Sequence, residues 1–410
     1  MTEPSSIVIA GAGHAGGSAA AFLRQFGWTG KITLIGEEPL PPYQRPPLSK
    51  AWLKGEANAD SLALRPLKFY ADSGIDLRPG RRVATIDRAA RTITLDSGDC
   101  LGYDHLILAL GSRLRKLPVP GGDLPGVLEL RTAADADRIK GALKPGMRLA
   151  VVGGGYIGLE VAASARGLGA AVTVVEREER LLARVASPGL SHFFHTTHVA
   201  KGVEILLGAN VAGLEGDERD YVSGVRLADG RRIACDVAIV GVGALANDAV
   251  ARAARLECND GILVDLAART SDPDIFAIGD CTRRPLPHYR RLARLESVPN
   301  ALEQARQAAS AICGRPAPAP EVPWFWSDQY DVKLQMAGMP FDVATTVTRG
   351  DPAAAKFAIF LLDAAGAMQA VEAINAPAEF MAGRLLIANR KIIAPERLAN
   401  SSISMKELIV

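Results

Sequence analysis

The chain carries one loop pattern twice, and few folds accommodate it. Near the start, Ile7-Val-Ile-Ala-Gly-Ala-Gly-His-Ala-Gly16 runs from strand-forming residues into Gly11-x-Gly13-x-x-Gly16, and an Ala-rich segment of helical character follows. The first glycine allows a tight turn, the second lets backbone amides approach a pyrophosphate, and the third lets helix and strand pack closely. The helix start then offers unpaired N–H groups and a partial positive charge to phosphates. The next strand, running from Lys31, ends in Glu37, the place where such folds bind a ribose hydroxyl. The alternative for one copy alone is a glycine-rich turn with no ligand. Strand, loop, helix, strand and acid in that order argue for a dinucleotide site.

The second copy opens at Arg148-Leu-Ala-Val-Val-Gly153-Gly-Gly155-Tyr-Ile-Gly158-Leu-Glu160, and its following strand ends in Glu176. A carboxylate there accepts from the 2′- and 3′-hydroxyls of NAD and repels a 2′-phosphate. Arg177 blurs that preference, but NAD is expected over NADP. With two such units, one nucleotide can be the electron donor and the other a resident carrier.

The intervening segments supply further candidates. Tyr43-Gln-Arg-Pro-Pro-Leu-Ser-Lys50 reads as a stiff loop entering a helix at Ser49, with Ser49 as cap. It is placed to present Arg45 and Lys50 as fixed charges, or else is a solvated turn with two surface cations. Residues 74–106 read as β-rich, and Val83 lies on a strand able to meet an adenine through its backbone. The stretch 117–126 is rich in proline and glycine and reads as an interdomain connection. In Thr270-Ser-Asp-Pro-Asp-Ile-Phe-Ala-Ile-Gly-Asp280-Cys, a strand delivers Asp280 to the C-terminal edge of a parallel sheet, where such sheets bind ligands. Asp280 could equally cap a helix. A helix is expected to start in the stretch that opens at Glu296 and to run to Ile312, then a Pro-rich linker over 314–323. A small α+β domain of short strands and one helix, around 378–389, is expected beyond Trp324-Phe-Trp326.

Composition narrows the function classes. At 410 residues the chain exceeds one core, and two or three domains are expected. A net charge of +2 does not suit a nucleic-acid binder, so any basic docking face must be local. The nucleotide loop starts too early to leave room for a secretory signal, and no uncharged apolar run reaches membrane-span length. A soluble, cytoplasmic protein without membrane or nucleic-acid partners is expected. The cysteines, Cys100, Cys235, Cys258, Cys281 and Cys313, show neither CxxC nor CxxxxC spacing. Neither a redox dithiol nor an iron–sulfur cluster or other metal site of its own is expected.

The first GxGxxG, YQRPPLSK, ELRT, GGGYIGLE, TSDPDIFAIGDC, ESVPNALEQAR and PWFWSDQY, in this order and spacing, resemble the FAD-dependent, NADH-using ferredoxin reductases of bacterial oxygenase systems, the putidaredoxin reductase type. The resemblance covers essentially the whole chain. It implies an α/β protein of glutathione-reductase-like architecture, with two Rossmann-like domains and a C-terminal α+β domain. The implied division is an FAD domain over 1–112 and 244–318, an NAD domain over 113–243, and a C-terminal domain over 319–410 that covers the flavin. It implies FAD contacts from Gly11, Gly13, Ala15, Gly16, Glu37, Arg45, Lys50, Val83, Arg131, Asp280, Val298 and Trp326. It implies NAD contacts from Gly153, Gly155, Ile157, Gly158, Glu160, Glu176 and Gly243. Lys50, Glu160 and Trp326 are the implied catalytic set, with Lys50 and Glu160 facing each other near flavin N5. The implied activity is hydride transfer from NADH to FAD, then single electrons to a [2Fe-2S] ferredoxin that feeds a P450 or a Rieske-type oxygenase. That partner is usually acidic, which makes Arg65, Lys68, Arg290, Arg291, Arg306 and Lys333 docking candidates. Two departures touch the cofactor walls: Ala244-Leu-Ala246-Asn lacks the family's frequent proline, and Ala109-Leu-Gly111 replaces Ala-Thr-Gly. Competing readings are a rubredoxin reductase, a flavin disulfide reductase, and a non-catalytic flavin-binding sensor or scaffold. The disulfide reductase would need a redox cysteine where Leu48-Ser-Lys50 stands.

Overall fold

In the computed structural model, which describes residues 5–409, the chain divides into two compact units. One comprises Met1–Gln44, Ala59–Arg113 and Leu245–Pro323, the other Arg45–Asn58, Leu114–Ala244 and Trp324–Val410.

The first unit is built on Ser6–Ala10, an apolar strand at the middle of a five-stranded sheet. Its parallel neighbours are Lys31–Gly36 on one side and His105–Leu108 on the other, with Ile75–Pro79 and Ile275–Ala277 at the edges. A central parallel strand is covered on both faces, so it needs apolar side chains at every position. Ile7 and Ile9 face a helical layer that includes Ala19, Ala20, Leu23, Ala305 and Ala308. Val8 and Ala10 face the opposite layer, with Val83, Ile93, Leu95 and Tyr103. The alanines let the helices His14–Gln25 and Val298–Ile312 lie against each other and the sheet. Val298–Ile312 is capped by Ser297, whose hydroxyl accepts from the Asn300 N–H. Its buried Glu303 receives both terminal nitrogens of Arg284, at 2.9 and 3.0 Å.

The second unit repeats this plan. Arg148–Val152 is central, Ala171–Val175 and Val237–Val240 flank it, and Glu204–Leu206 and Val127–Leu128 form the edges, all parallel. Each sheet also carries a three-stranded antiparallel excursion at the same place in the chain order: Val83–Asp87, Thr92–Leu95 and Cys100–Gly102 in the first unit, Val211–Gly216, Val222–Leu227 and Arg232–Ala234 in the second.

The second unit also contains an antiparallel sheet of five strands, in the order Trp324–Gln329, Val332–Gly338, Met368–Ile374, Lys356–Leu362 and Thr345–Asp351. The expected pattern of short strands and one helix needs correction here. These strands have six or seven residues, and Pro377–Asn389 is joined by the helices Pro395–Ala399 and Met405–Ile409. Five residues is too short a span for helical periodicity to register in sequence.

Glu372, on Met368–Ile374, is fully buried and accepts from both the N–H and the hydroxyl of Ser187, the N-cap of helix Pro188–Ala200. Burial outweighs these bonds and pushes its carboxyl up to about 7. A carboxyl raised on folding favours the protonated folded state. Its contribution is fully present below the ordinary carboxyl range and is lost as pH rises from there to about 7. Calorimetry should therefore find this part of the stability declining across that window, and Glu372→Gln should flatten the decline. A slope unchanged by that substitution would contradict the assignment.

Candidate functional site

Both glycine loops show the same division of labour. Gly11 has a φ of +114°, and a Cβ on it would lie 2.1 Å from the Ala109 carbonyl oxygen. A Cβ on Gly16 would lie 1.9 Å from the Gly11 carbonyl oxygen. In the second loop, Gly153 has a φ of +113° and its Cβ would lie 2.4 Å from the Gly241 oxygen, while that of Gly158 would lie 2.3 Å from the Gly153 oxygen. These four positions are small because backbone occupies the space. Gly13 and Gly155 differ: a Cβ on either meets nothing within 4 Å. Both have ordinary extended backbones, with φ of −79° and −80°, and neither following helix has a side-chain cap. The open space thus lies at the unpaired N–H groups of a helix start, the setting a pyrophosphate requires. The residues present fit two dinucleotides.

Around the first cradle, Ala15 is buried in the opening turn of its helix and touches the position of Gly279. Gly279 and Asp280 are fixed from behind by Gln304, whose side-chain oxygen accepts from the Gly279 N–H at 2.8 Å and the Thr282 hydroxyl at 2.9 Å. Asp280 accepts from Ser112 at 3.3 Å. The turn Gly279–Cys281 runs on into the strand Thr282–Leu286, so no helix begins there and the capping alternative for Asp280 falls. Glu37 follows Gly36 with its side chain mostly in solvent, 4.0 Å from Arg82. Val83 is buried in the antiparallel excursion, and Val298 opens the helix that packs on the first-fingerprint helix. Asn247, in the segment that lacks a proline, donates its side-chain amide to the Leu110 carbonyl at 2.9 Å and its backbone N–H to the Gly111 carbonyl at 3.0 Å. One side-chain and one backbone bond therefore hold the two departing segments together.

Around the second cradle, Ile157 is half exposed, and Gly243 adopts a φ of +107°. Glu176 accepts from Gly154 N–H at 2.6 Å through one oxygen and from Glu178 N–H at 2.8 Å through the other. It braces its own loop and keeps acceptor capacity on both oxygens for a diol. Arg177 pairs with Glu178 at 2.7 Å.

The second unit also holds the expected charge pair. Lys50 Nζ lies 2.7 Å from Glu160 Oε2, with side chains 18% and 6% exposed. Ser49 is no helix cap. Pro46–Ser49 forms a tight 3-10 turn, and the four-residue helix Ala51–Lys54 follows Lys50. The buried Ser49 hydroxyl instead donates to Glu160 Oε2 at 2.5 Å, and Ser327 donates to Glu160 Oε1 at 2.6 Å. Arg45 donates to the Arg131 carbonyl at 2.5 Å, linking two expected FAD residues. Trp326 lies on Trp324–Gln329, its ring 5.7 Å from that of Trp324, which contacts Phe380. Sequence reasoning missed Ser49 as a partner of Glu160, and also Ser112, Asn247, Gln304 and Ser327. The sole hint was that Ser49 and Ser327 sit inside motifs singled out for other residues.

Burial raises the thiols of Cys258 and Cys313, and pushes those of Cys235 and Cys281 up to about 11 and about 12. All five cysteines are free. Among the described residues no group of side chains is arranged to hold a metal ion, and no helix is long and apolar enough to cross a membrane.

Two dinucleotide cradles on one repeated α/β plan define a pyridine-nucleotide-dependent flavoprotein oxidoreductase. Residues 5–305 match the family model described as pyridine nucleotide-disulphide oxidoreductase, and 324–409 match a reductase C-terminal domain; the chain belongs to this oxidoreductase family and uses FAD and NAD(H). It is 49% identical to a probable ferredoxin reductase, CtmF, of Castellaniella defragrans over the whole of both chains. It is 43% identical to the rhodocoxin reductase of Rhodococcus erythropolis, over 98% of this chain and 93% of that one. Among solved structures, the covalent putidaredoxin reductase–putidaredoxin complex matches with a TM-score of 0.97 at 40% identity, covering 100% of this chain and 99% of that one.

Proposed function

We propose that the protein is an NADH-dependent ferredoxin reductase, carrying out NADH + 2 oxidised ferredoxin → NAD⁺ + H⁺ + 2 reduced ferredoxin for a P450 or Rieske-type oxygenase in the cytoplasm. The observation that carries this reading is the paired cradle, with Gly13 and Gly155 each opening on free space at a helix start. Bound FAD supplies the conversion of a two-electron hydride donor into one-electron steps, which no side chain here can perform. The chain's own groups bind, orient and exclude water.

Gly11, Gly13, Ala15 and Gly16 receive the FAD pyrophosphate, with Glu37, Val83, Asp280 and Val298 along the rest of the molecule. Arg45, Arg131 and Trp326 belong to the same cofactor. Gly153, Gly155, Ile157 and Gly158 receive the NADH pyrophosphate, Glu176 its ribose, and Gly243 its nicotinamide half. Lys50 and Glu160 hold the carboxamide and the charge distribution where hydride moves. The three-domain division, with FAD over 1–112 and 244–318, NAD over 113–243 and a flavin cover over 319–410, is part of this proposal.

Two observations weigh against dithiol chemistry. Leu48-Ser-Lys50 occupies the place of a redox cysteine, and burial raises four of the five thiols, the reverse of what a reactive thiolate needs. A rubredoxin reductase would differ only in its acceptor. The test is turnover. NADH should bleach the yellow holoenzyme, and cytochrome c should be reduced rapidly only when a [2Fe-2S] ferredoxin is added. Bleaching without ferredoxin-dependent transfer would refute the acceptor, and a flavin that NADH does not bleach would favour a non-catalytic sensor or scaffold.

Arg290, Arg291 and Lys333 are exposed, Lys68 pairs with Asp72, and Arg65 and Arg306 lie over the rings of Phe69 and Phe22. Docking of an acidic partner is assigned first to Arg290 and Arg291, two exposed cations adjacent in the chain. Their double charge reversal should lower the rate of ferredoxin reduction and flatten its salt dependence, with reduction by NADH unchanged. A rate and salt slope equal to the parent's would remove these residues from the docking face.

A further inference from the structure

Glu160 anchors more than its pair with Lys50. An ionised carboxylate accepts hydrogen bonds and donates none. The Ser327 hydroxyl, 2.6 Å from Oε1, must therefore spend its single proton on Glu160. Its oxygen is then left as an acceptor. The group facing it at 3.2 Å is the Gln329 carboxamide, which must present its nitrogen. The Gln329 oxygen is thereby turned to His198 Nε2, 2.8 Å away, and needs a hydrogen there. A neutral imidazole protonated at Nε2 has a lone pair at Nδ1, and the Tyr330 hydroxyl stands 3.2 Å from that atom. The charge of Glu160 thus dictates each donor in turn as far as the ring of His198.

The surroundings suit this arrangement. Ser327, Gln329 and His198 are buried, and burial lowers the imidazole's proton affinity, favouring the neutral ring. Burial also pushes the Tyr330 phenol up to about 12, so it remains a donor. Ser327 and Gln329 project from one face of Trp324–Gln329 because strand side chains alternate. Tyr330 occupies the hairpin turn after that strand with φ of +57°, a conformation uncommon for a bulky residue and here accompanied by the bond to His198. A carboxamide passes no proton onward as a carboxyl or imidazole does, so the chain orients and does not conduct.

We propose that Ser327, Gln329 and His198 are positioning residues for Glu160. They form a one-way array of donors, Tyr330 to His198 to Gln329 to Ser327 to Glu160, that holds the carboxylate fixed against Lys50 and locks His198 as the Nε2–H tautomer. The proposal rests on the assignment of Lys50 and Glu160 to hydride transfer. Each bond in such an array polarises the next.

The test uses the FAD-loaded enzyme labelled with ¹⁵N-histidine. The spectrum should show His198 with one protonated and one bare ring nitrogen, and Glu160→Leu, two side chains removed from the ring, should abolish that single-tautomer signature by freeing the Ser327 proton to turn the amide. An unchanged His198 spectrum in Glu160→Leu overturns the proposal. Gln329→Leu provides a second reading that does not depend on the first variant's folding. Flavin reduction by saturating NADH should slow by about three- to tenfold, the weight of one orienting hydrogen bond, with KM for NADH little changed. A rate equal to the parent's overturns the array. If Gln329→Leu is silent while Lys50→Met is slow, the array fails and the hydride-transfer assignment stands. If Lys50→Met is itself silent, that assignment has failed.

Discussion

Replacing Gly155 with valine is expected to yield a folded, yellow protein that NADH reduces only at greatly raised concentration. Position 155 has an extended backbone open to any residue, and a side chain there meets no protein atom within 4 Å of its Cβ. Folding therefore loses little. The space filled is the space the pyrophosphate needs, at amides whose bonds to a charged oxygen contribute about 1.5–3 kcal/mol each. Losing one or two of them raises KM for NADH by on the order of a hundredfold. Steady-state kinetics and the visible flavin spectrum read the two effects separately. Gly13→Val is the matching experiment in the first cradle and should give a folded but colourless protein. Gly158→Ala, whose Cβ would lie 2.3 Å from the Gly153 carbonyl oxygen, should instead lower thermal stability. If Gly155→Val unfolds the protein, or keeps the parent KM, the distinction between packing glycines and ligand glycines is mistaken.

The second large effect is expected from Lys50→Met. The pair is mostly buried, and removing one partner leaves the Glu160 carboxylate with only the Ser49 and Ser327 hydroxyls. Breaking a buried pair from one side costs about 3–5 kcal/mol, and the partial exposure of Lys50 puts the loss toward the lower figure. The double variant Lys50→Met/Glu160→Leu should recover much of that stability, since apolar replacements of buried pairs are tolerated. It should not recover chemistry. Stopped-flow reduction by NADH should be about a hundredfold slower in both, the size of loss that follows when reacting groups are misplaced by about 1 Å. An unchanged flavin reduction rate in Lys50→Met would retire the pair from hydride transfer.

These predictions also mark where the sequence was readable. The glycine loops were legible because close packing and phosphate approach both demand glycine at fixed spacing, and the acids Glu37 and Glu176 stand at a fixed distance beyond. Ser49 was misread because proline, serine and a following apolar residue make a plausible cap. What overrides it is a carboxylate more than a hundred positions away in the chain. His198 offered no signal at all, and Ser327 and Gln329 only their place inside the PWFWSDQY motif. Their role depends on a strand and a helix distant in sequence, and polar residues at such positions occur in every chain. Glu176 was assigned to a ribose, and its present engagement with two backbone amides of its own loop could not be read from spacing.

The duplicated plan has an engineering corollary. Each glycine loop is followed by its own acid, Glu37 in one unit and Glu176 in the other, so a redesign of coenzyme preference can start at Glu176 and Arg177 while the residues of the first loop are left as they are.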